Sequence, residues 1–407
     1  MSATLRLALL LALGAFTLSQ PAAPEPTTAG TGAVGGALPS STAAAADAQV
    51  PSPTPAAPIT PAAPITPATP TSPASVARFD ASRPEIRSFI DQLVAQGFER
   101  ERLTTLLASA EPQPRIIDAM TRPAEKVLQW WEYRARMLTS ARIEAGAQLW
   151  REHRELLDQV AGEYQVEPEY LIAVLGVETQ YGRITGRYRV IDALATLGFD
   201  YPPRAAYFRK ELAQFLLLAR EEGLDPLAIR GSYAGAMGAL QFMPSSFRKF
   251  AVSESHAPRP DLWADWGDIF ASTANYLHQV GWQYGGPVLA EAQPVGEPGL
   301  APPDRLSLSD TLGNLRAHGF SIEGALPDST PALLLAAPLQ DAMSYRVGFQ
   351  NFYAITRYNS YTLYAMAVCD LASAIRQEIL AEDQQAFQDA AQGAPPSASG
   401  GEAAVGH

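Results

Sequence analysis

The sequence predicts a mainly α, α+β unit with one short β-rich insertion, flanked by segments that carry no folding signal. Three observations lead there. Apolar residues recur at three- and four-residue spacing through most of residues 78–383, as one face of a helix requires. One stretch, about 288–352, breaks that rhythm with Gly and Pro and carries short apolar runs instead. Outside 78–383 the composition changes abruptly: residues 20–77 alone hold 13 of the chain's 34 prolines.

Residues 1–19 read as a secretory signal. Arg6 supplies the positive end, and Leu7–Phe16 an apolar run too short for a bilayer of about 30 Å. Thr17 and Ser19 are small residues suited to a cleavage site. With Cys369 the single cysteine, no thiol follows to be acylated, which excludes a lipoprotein anchor. The alternative is an uncleaved N-terminal segment, the one route this chain has to a membrane. Both place the rest outside the cytoplasm.

Residues 20–77 repeat Pro-Ala-Ala-Pro-Ile-Thr at Pro55–Thr60 and Pro61–Thr66, and no Lys or Arg occurs from Leu7 to Ala77. Such a segment buries too little apolar surface to offset its ordering entropy, and its prolines favour extended conformers. It is expected to be a disordered, semi-stiff tether. Residues 384–407, rich in Ala, Gly and Ser, are expected to form a disordered tail.

In the folded unit, Pro84–Gln96 sets Ile86, Phe89, Ile90, Leu93 and Val94 on one face and Gly97 closes the helix. The same spacing predicts helices at Arg102–Ser109, Ala124–Leu138, Ala141–Tyr164, Pro168 to Glu178, Tyr207–Glu222, Phe270–Val280 and Leu363–Leu380. The insertion reads as small strands, including Ala332–Ala336 and Tyr345–Phe349, around a helix at Ser307–His318.

Composition also narrows the chemistry. A net charge of −12, of which −9 lies on residues 78–383, argues against a grip on nucleic acid through phosphates. A polymer substrate must then be held by hydrogen bonds and stacking. One cysteine excludes an internal disulfide framework and a multi-cysteine metal cluster. The five histidines show no H-x-x-x-H pairing, which argues against a zinc hydrolase.

Two segments carry candidate chemistry. Glu178 follows the run Leu171–Val177, almost wholly apolar, so its carboxyl is expected to be desolvated and to stay protonated near neutral pH. A general acid for a glycosidic oxygen needs that property. The plain alternative is a helix-end Glu paired with Arg183 or Arg187. The second segment, Gly231–Ser245, is crowded with glycine and small residues, as close backbone approach to a ligand or a tight turn into a helix requires. Ser232 and Gln241 lie in it as candidate donors to sugar hydroxyls or an N-acetyl group. A close-packed loop without ligand is the alternative.

Gly176-Val177-Glu178-Thr179-Gln180-Tyr181-Gly182, Asp192–Leu197 and the Gly-Ala-Met-Gly…Gln-Phe-Met-Pro-Ser block together resemble the lytic murein transglycosylase B family, glycoside hydrolase family 103. The resemblance covers about residues 79–380. It implies a lysozyme-like catalytic core, a helical domain and a small antiparallel β insertion beside a deep cleft. It also implies cleavage of the β-1,4 bond between N-acetylmuramic acid and N-acetylglucosamine in periplasmic peptidoglycan, leaving a 1,6-anhydro ring, with Glu178 as the single catalytic acid. Substrate-contact positions carry over to Tyr133, Arg204, Ser232, Gln241, Tyr276, Tyr358, Asn359 and Tyr364; ordinary core packing is the alternative for each tyrosine. Arg204 matches one of two adjacent arginines, and Pro203 stands at the other position. The family's calcium loop matches Ser253–Asp261 with Asp268 beyond, but Ser253 and Ala257 replace acidic ligands and Arg259 adds positive charge. No metal and no cofactor is therefore expected. The expected partners are glycan strands, with recruitment to cell-wall synthesis or remodelling complexes through the tether. A hydrolytic muramidase using Asp265 or Asp268 as base, and a non-catalytic murein-binding protein, stay open.

Overall fold

The computed structural model describes residues 78–121 and 128–393. The expected signal and tether, the first residues of the helix expected at Ala124, and residues 394–407 lie outside the described residues. Among those described, the chain is mainly helical with two small antiparallel sheets.

The N-terminal part is α1 (Pro84–Val94), α2 (Arg100–Ser109), α3 (Pro114–Thr121) and α4 (Trp130–Met137). Pro84 opens α1, where its missing N–H costs nothing. α4 is shorter than its periodicity suggests because Gln129 and Glu132 form a capping box that fixes its start. The single helix expected over Ala141–Tyr164 is two, α5 (Ser140–Glu152) and α6 (Arg154–Tyr164). The break falls at His153, whose ring packs on Trp266 and Phe270 at 5.5 and 5.9 Å, a tertiary contact that no helical spacing encodes.

α7 (Pro168–Thr179) is buried on nearly every side and lies against α5, α6, α11 (Trp266–Gln279) and α14 (Thr362–Gly393). A helix that is apolar all round belongs at the centre of a core. Gly146 of α5 and Gly176 of α7 permit this closeness: a Cβ at either would lie within 2.7 Å of the Tyr181 hydroxyl. Beyond α7, a two-stranded ladder pairs β1 (Tyr188–Arg189) with β2 (Arg230–Gly231) around α8 (Val190–Asp200) and α9 (Ala205–Glu221). α8 escapes a reading by spacing because Val190–Phe199 is buried throughout and shows no polar face.

After α10 (Pro244–Phe250) and α11 comes the insertion, whose helix is shorter than the expected Ser307–His318 because Thr311 caps its start by accepting the Asn314 N–H. Its strands β3 (Leu289–Pro294), β4 (Asp310–Thr311), β5 (Phe320–Ile322), β6 (Pro331–Ala336) and β7 (Tyr345–Gly348) form one sheet in the order β4-β6-β7-β3-β5, with α12 (Leu312–Ala317) beside it. Along β6 the alternation is clean: Leu333 and Leu335 join the main core, Ala332 and Leu334 a second core inside the insertion. α13 (Gln350–Tyr358) then leads into α14. The tail expected from residue 384 needs correcting, since α14 continues to Gly393. Good helix formers continue the turn, and Arg151–Glu382 and Arg154–Asp383 pairs at 2.9 and 3.0 Å dock it on α5 and α6.

Candidate active site

α7 ends at Thr179 in a turn whose three residues, Gln180, Tyr181 and Gly182, all have positive φ (51°, 61° and 76°). Thr179 fastens that turn. Its hydroxyl donates to the Ala239 carbonyl at 2.8 Å and accepts the Gly182 N–H at 2.9 Å, so the end of α7 is tied to the glycine-rich segment.

Glu178, the last acidic residue of this helix, is 2% exposed. Neither Arg183 nor Arg187 pairs with it: the first turns back to the Gln180 carbonyl and the second lies over the Tyr188 ring. Burial pushes its carboxyl up to about 8, because an ionised carboxylate there would lose its hydration without gaining a cation. The Tyr364 hydroxyl faces the carboxyl and weakly opposes that rise. The approach is looser than an ordinary hydrogen bond, and both Glu178 Oε1 and the Tyr364 hydroxyl are buried without a well-formed partner.

The surrounding wall is aromatic. Tyr358 and Tyr364 stack with centroids 6.4 Å apart, Tyr276 meets Tyr358 at 4.8 Å, and Tyr133 meets Tyr361 at 5.8 Å. Phe242 packs against both Tyr276 and Tyr358. Sequence reasoning expected tyrosines that offer a face and a hydroxyl to a sugar. Instead all four named tyrosines are at most 7% exposed, and the hydroxyls of Tyr276 and Tyr358 donate to the carbonyls of Arg357 and Leu240. Their rings exclude water from the carboxyl, and burial raises the hydroxyls of Tyr276, Tyr358 and Tyr364 far enough to keep them neutral. Asn359 accepts the Tyr361 N–H at 3.0 Å, while its Nδ2 is buried and unpartnered. Tyr361 and Phe242 were not singled out from sequence; Phe242 stood inside the Gln-Phe-Met-Pro-Ser block.

The glycine-rich segment is the tight turn into a helix that its composition suggested. A Cβ on Gly238 (φ 68°) would sit 2.7 Å from the Leu262 carbonyl oxygen, so this position requires glycine twice over. The donor role expected of Gln241 does not hold, because its amide nitrogen already donates to Thr185 and Gly238 carbonyls, both at 3.0 Å. Only its carbonyl oxygen is left for a ligand. Ser232 accepts the N–H groups of Ala234 and Ala236, which shapes the loop. Glu211 of α9, unnoticed in the sequence, clamps the far end by accepting both the N–H and the hydroxyl of Ser245. Arg204 lies on the turn Pro202–Arg204 with its guanidinium over Tyr207 and Phe208 rather than over the tyrosine cluster.

The loop from Ser253 to Asp268 is held by its own hydrogen bonds. Asp268, 4% exposed, accepts the N–H of Glu254 at 2.8 Å on one oxygen and that of Asp261 at 2.7 Å on the other. Asp261 accepts from Trp263 and Ala264, and Asp265 caps α11 by accepting the Asp268 N–H. A hard divalent ion would compete with these donors for the Asp268 oxygens, and Ser253 and Ala257 offer it no carboxylate. The same bonds occupy Asp265 and Asp268, and no charged group figures among the influences on Glu178. Among the described residues no cluster of three or more His, Cys, Asp or Glu could hold a metal, and no helix is long and apolar enough to cross a membrane.

A family model for the transglycosylase SLT domain matches residues 81–373. The membrane-bound lytic murein transglycosylase B of Escherichia coli is 38% identical over 305 residues, 72% of this chain and 83% of that protein. The catenated lytic transglycosylase SltB1 of Pseudomonas aeruginosa shares 44% identity and a TM-score of 0.70, over 73% of this chain and 99% of that one. SltB3 of the same organism, solved with NAG-NAM-pentapeptide, shares 29% identity and a TM-score of 0.63, over 71% and 78%. The mainly helical fold with small antiparallel sheets is that of the lysozyme-like lytic transglycosylases.

Proposed function

The chain belongs to the transglycosylase SLT-domain family and is a lytic murein transglycosylase, and from that premise we propose that Glu178 is its single catalytic acid. The observation that carries this reading is the carboxyl's environment: 2% exposed, away from any cation, and pushed up to about 8. Such a group is still protonated at neutral pH and can deliver its proton to a leaving oxygen.

The substrate is the glycan strand of peptidoglycan, cut at the β-1,4 bond between N-acetylmuramic acid and N-acetylglucosamine. Glu178 gives its proton to the bridging oxygen as the bond to C1 breaks. Two-carboxylate glycosidases then rely on a facing carboxylate. With Asp265 and Asp268 spent on their loop, the substrate's own N-acetyl oxygen is left to stabilise C1. The Glu178 carboxylate next takes the proton of the muramyl C6 hydroxyl, whose oxygen attacks C1. A 1,6-anhydro ring forms, the acid is restored and no water is consumed. The buried Nδ2 of Asn359 and the Tyr364 hydroxyl, both unpartnered in the cluster, are suited to the N-acetyl group and to the Glu178 carboxylate respectively. Export on residues 1–19 would bring the enzyme to the periplasm, where residues 20–77 would offer a handle for cell-wall complexes. The loop at 253–268 holds itself without calcium.

The test is product analysis. Purified peptidoglycan digested with the protein should release muropeptides one water lighter than hydrolytic products, read by mass spectrometry. Fully hydrated reducing ends would overturn the anhydro route.

A further inference from the structure

We propose that Tyr181 is a positioning residue for the acid: its hydroxyl ties the left-handed turn after Glu178 to α5 and so fixes where the carboxyl points. This rests on the reading of Glu178 given above.

The turn needs such a tie. Gln180 and Tyr181 hold φ of 51° and 61°, a region where side chains other than glycine are strained, and the structure keeps them there together. Tyr181 is 8% exposed, and its ring enters a slot between α5, α7 and α14. The slot is cut for it: a Cβ on Gly146 would stand 2.5 Å from the Tyr181 hydroxyl, and one on Gly176 2.7 Å from it and 2.8 Å from Cζ. At the bottom the hydroxyl donates to the Arg142 carbonyl at 2.7 Å.

Arg142 is itself a strut. Its guanidinium is 5% exposed and donates to the carbonyls of Arg136 and Met137 at 2.8 and 2.6 Å, closing the C-terminus of α4. α4 carries Tyr133, whose ring meets Tyr361 in the aromatic wall. One chain of contacts thus runs from the turn behind the acid, through Tyr181 and Arg142, to the helix that supplies the opposite wall. Losing the hydroxyl frees the turn to relax toward negative φ and lets the last turn of α7, with Glu178, move toward solvent. The titratable groups facing Glu178 are Tyr358 of α13 and Tyr364 of α14, both neutral, so burial is the main influence on the carboxyl and the Tyr364 hydroxyl the lesser, opposing one.

Tyr181→Phe removes only the tie. The full chain carrying it should fold, with kcat on purified peptidoglycan reduced about 10-fold and KM within about 2-fold. The alkaline limb of its kcat profile should also move to lower pH, since a more hydrated carboxyl loses its proton earlier. Gln180→Gly lets the turn hold positive φ without strain, so the double variant Gln180→Gly/Tyr181→Phe should regain much of the lost kcat. A Tyr181→Phe enzyme matching wild type in kcat and pH profile overturns the proposal, as does a lost kcat that Gln180→Gly leaves unrestored. Glu178→Gln runs alongside: lysis by that variant removes the acid itself from its role and the positioning role with it. A dead Glu178→Gln beside an unaffected Tyr181→Phe overturns the positioning role alone.

Discussion

Glu178 and Asp268 are carboxyls of nearly equal burial, 2% and 4% exposed, and the molecule treats them in opposite ways. Asp268 sits where a loop meets the first turn of α11, and backbone N–H groups of Glu254 and Asp261 reach both its oxygens. Glu178 sits at the other end of a helix, where carbonyls rather than N–H groups point outward, with tyrosine rings in front of it. A carboxylate supplied with N–H donors becomes a structural brace, whereas one deprived of donors and cations retains its proton and becomes an acid. The number of donors in reach, and not depth of burial, separates the two sites.

The sharpest way to break this contrast is Glu178→Gln. Lysis should fall by about 10²–10⁴-fold, the range of a lost general acid, while circular dichroism stays that of wild type. Residual activity within a few-fold would take the role from Glu178. Stability gives a second reading of the same residue. Between about 4.5 and 8 the folded chain keeps a proton on Glu178 that the unfolded chain has released. Wild-type unfolding free energy should therefore fall by up to about 1.4 kcal/mol per pH unit relative to Glu178→Gln across that window. Parallel curves for the two proteins would mean that the carboxyl is solvated.

Asp268→Ala probes the other side. Two backbone N–H groups lose their acceptor, at a cost of about 2 kcal/mol in denaturant unfolding, with the Glu178 carboxyl untouched. Smaller is Tyr364→Phe. Removing the one hydroxyl that favours the ionised Glu178 should lower kcat several-fold and move its alkaline limb slightly to higher pH. A limb that stayed in place would show that this hydroxyl does not reach the acid. The smallest expected effect is none at all: a site saturated 100-fold would add about 2.7 kcal/mol, so millimolar calcium should leave the melting temperature where chelator leaves it. A clear rise would mean that the loop's hydrogen bonds yield to the ion.

By itself, the sequence determined the mainly helical class and the extent of the β insertion, and it marked Glu178 as a carboxyl in apolar surroundings. Each follows from local information: apolar spacing, the Gly and Pro breaks, and an apolar run that ends in a carboxyl. Helix α8 stayed hidden because burial on all sides erases the periodicity that reveals a helix. The break at His153 accompanies contacts with α11, which lies far along the chain, and α14 continues past residue 384 on good helix formers within a segment whose composition reads as a tail. Candidate residues were legible as types but not as atoms. Nothing local reveals that Gln241 spends its amide hydrogens on Thr185 and Gly238, that Glu211 clamps Ser245, or that Tyr181 lodges between two glycines of different helices. A side chain's identity fixes what bonds it can make; only the packed chain decides which partners come within about 3 Å, and that choice separates Asp268 from Glu178.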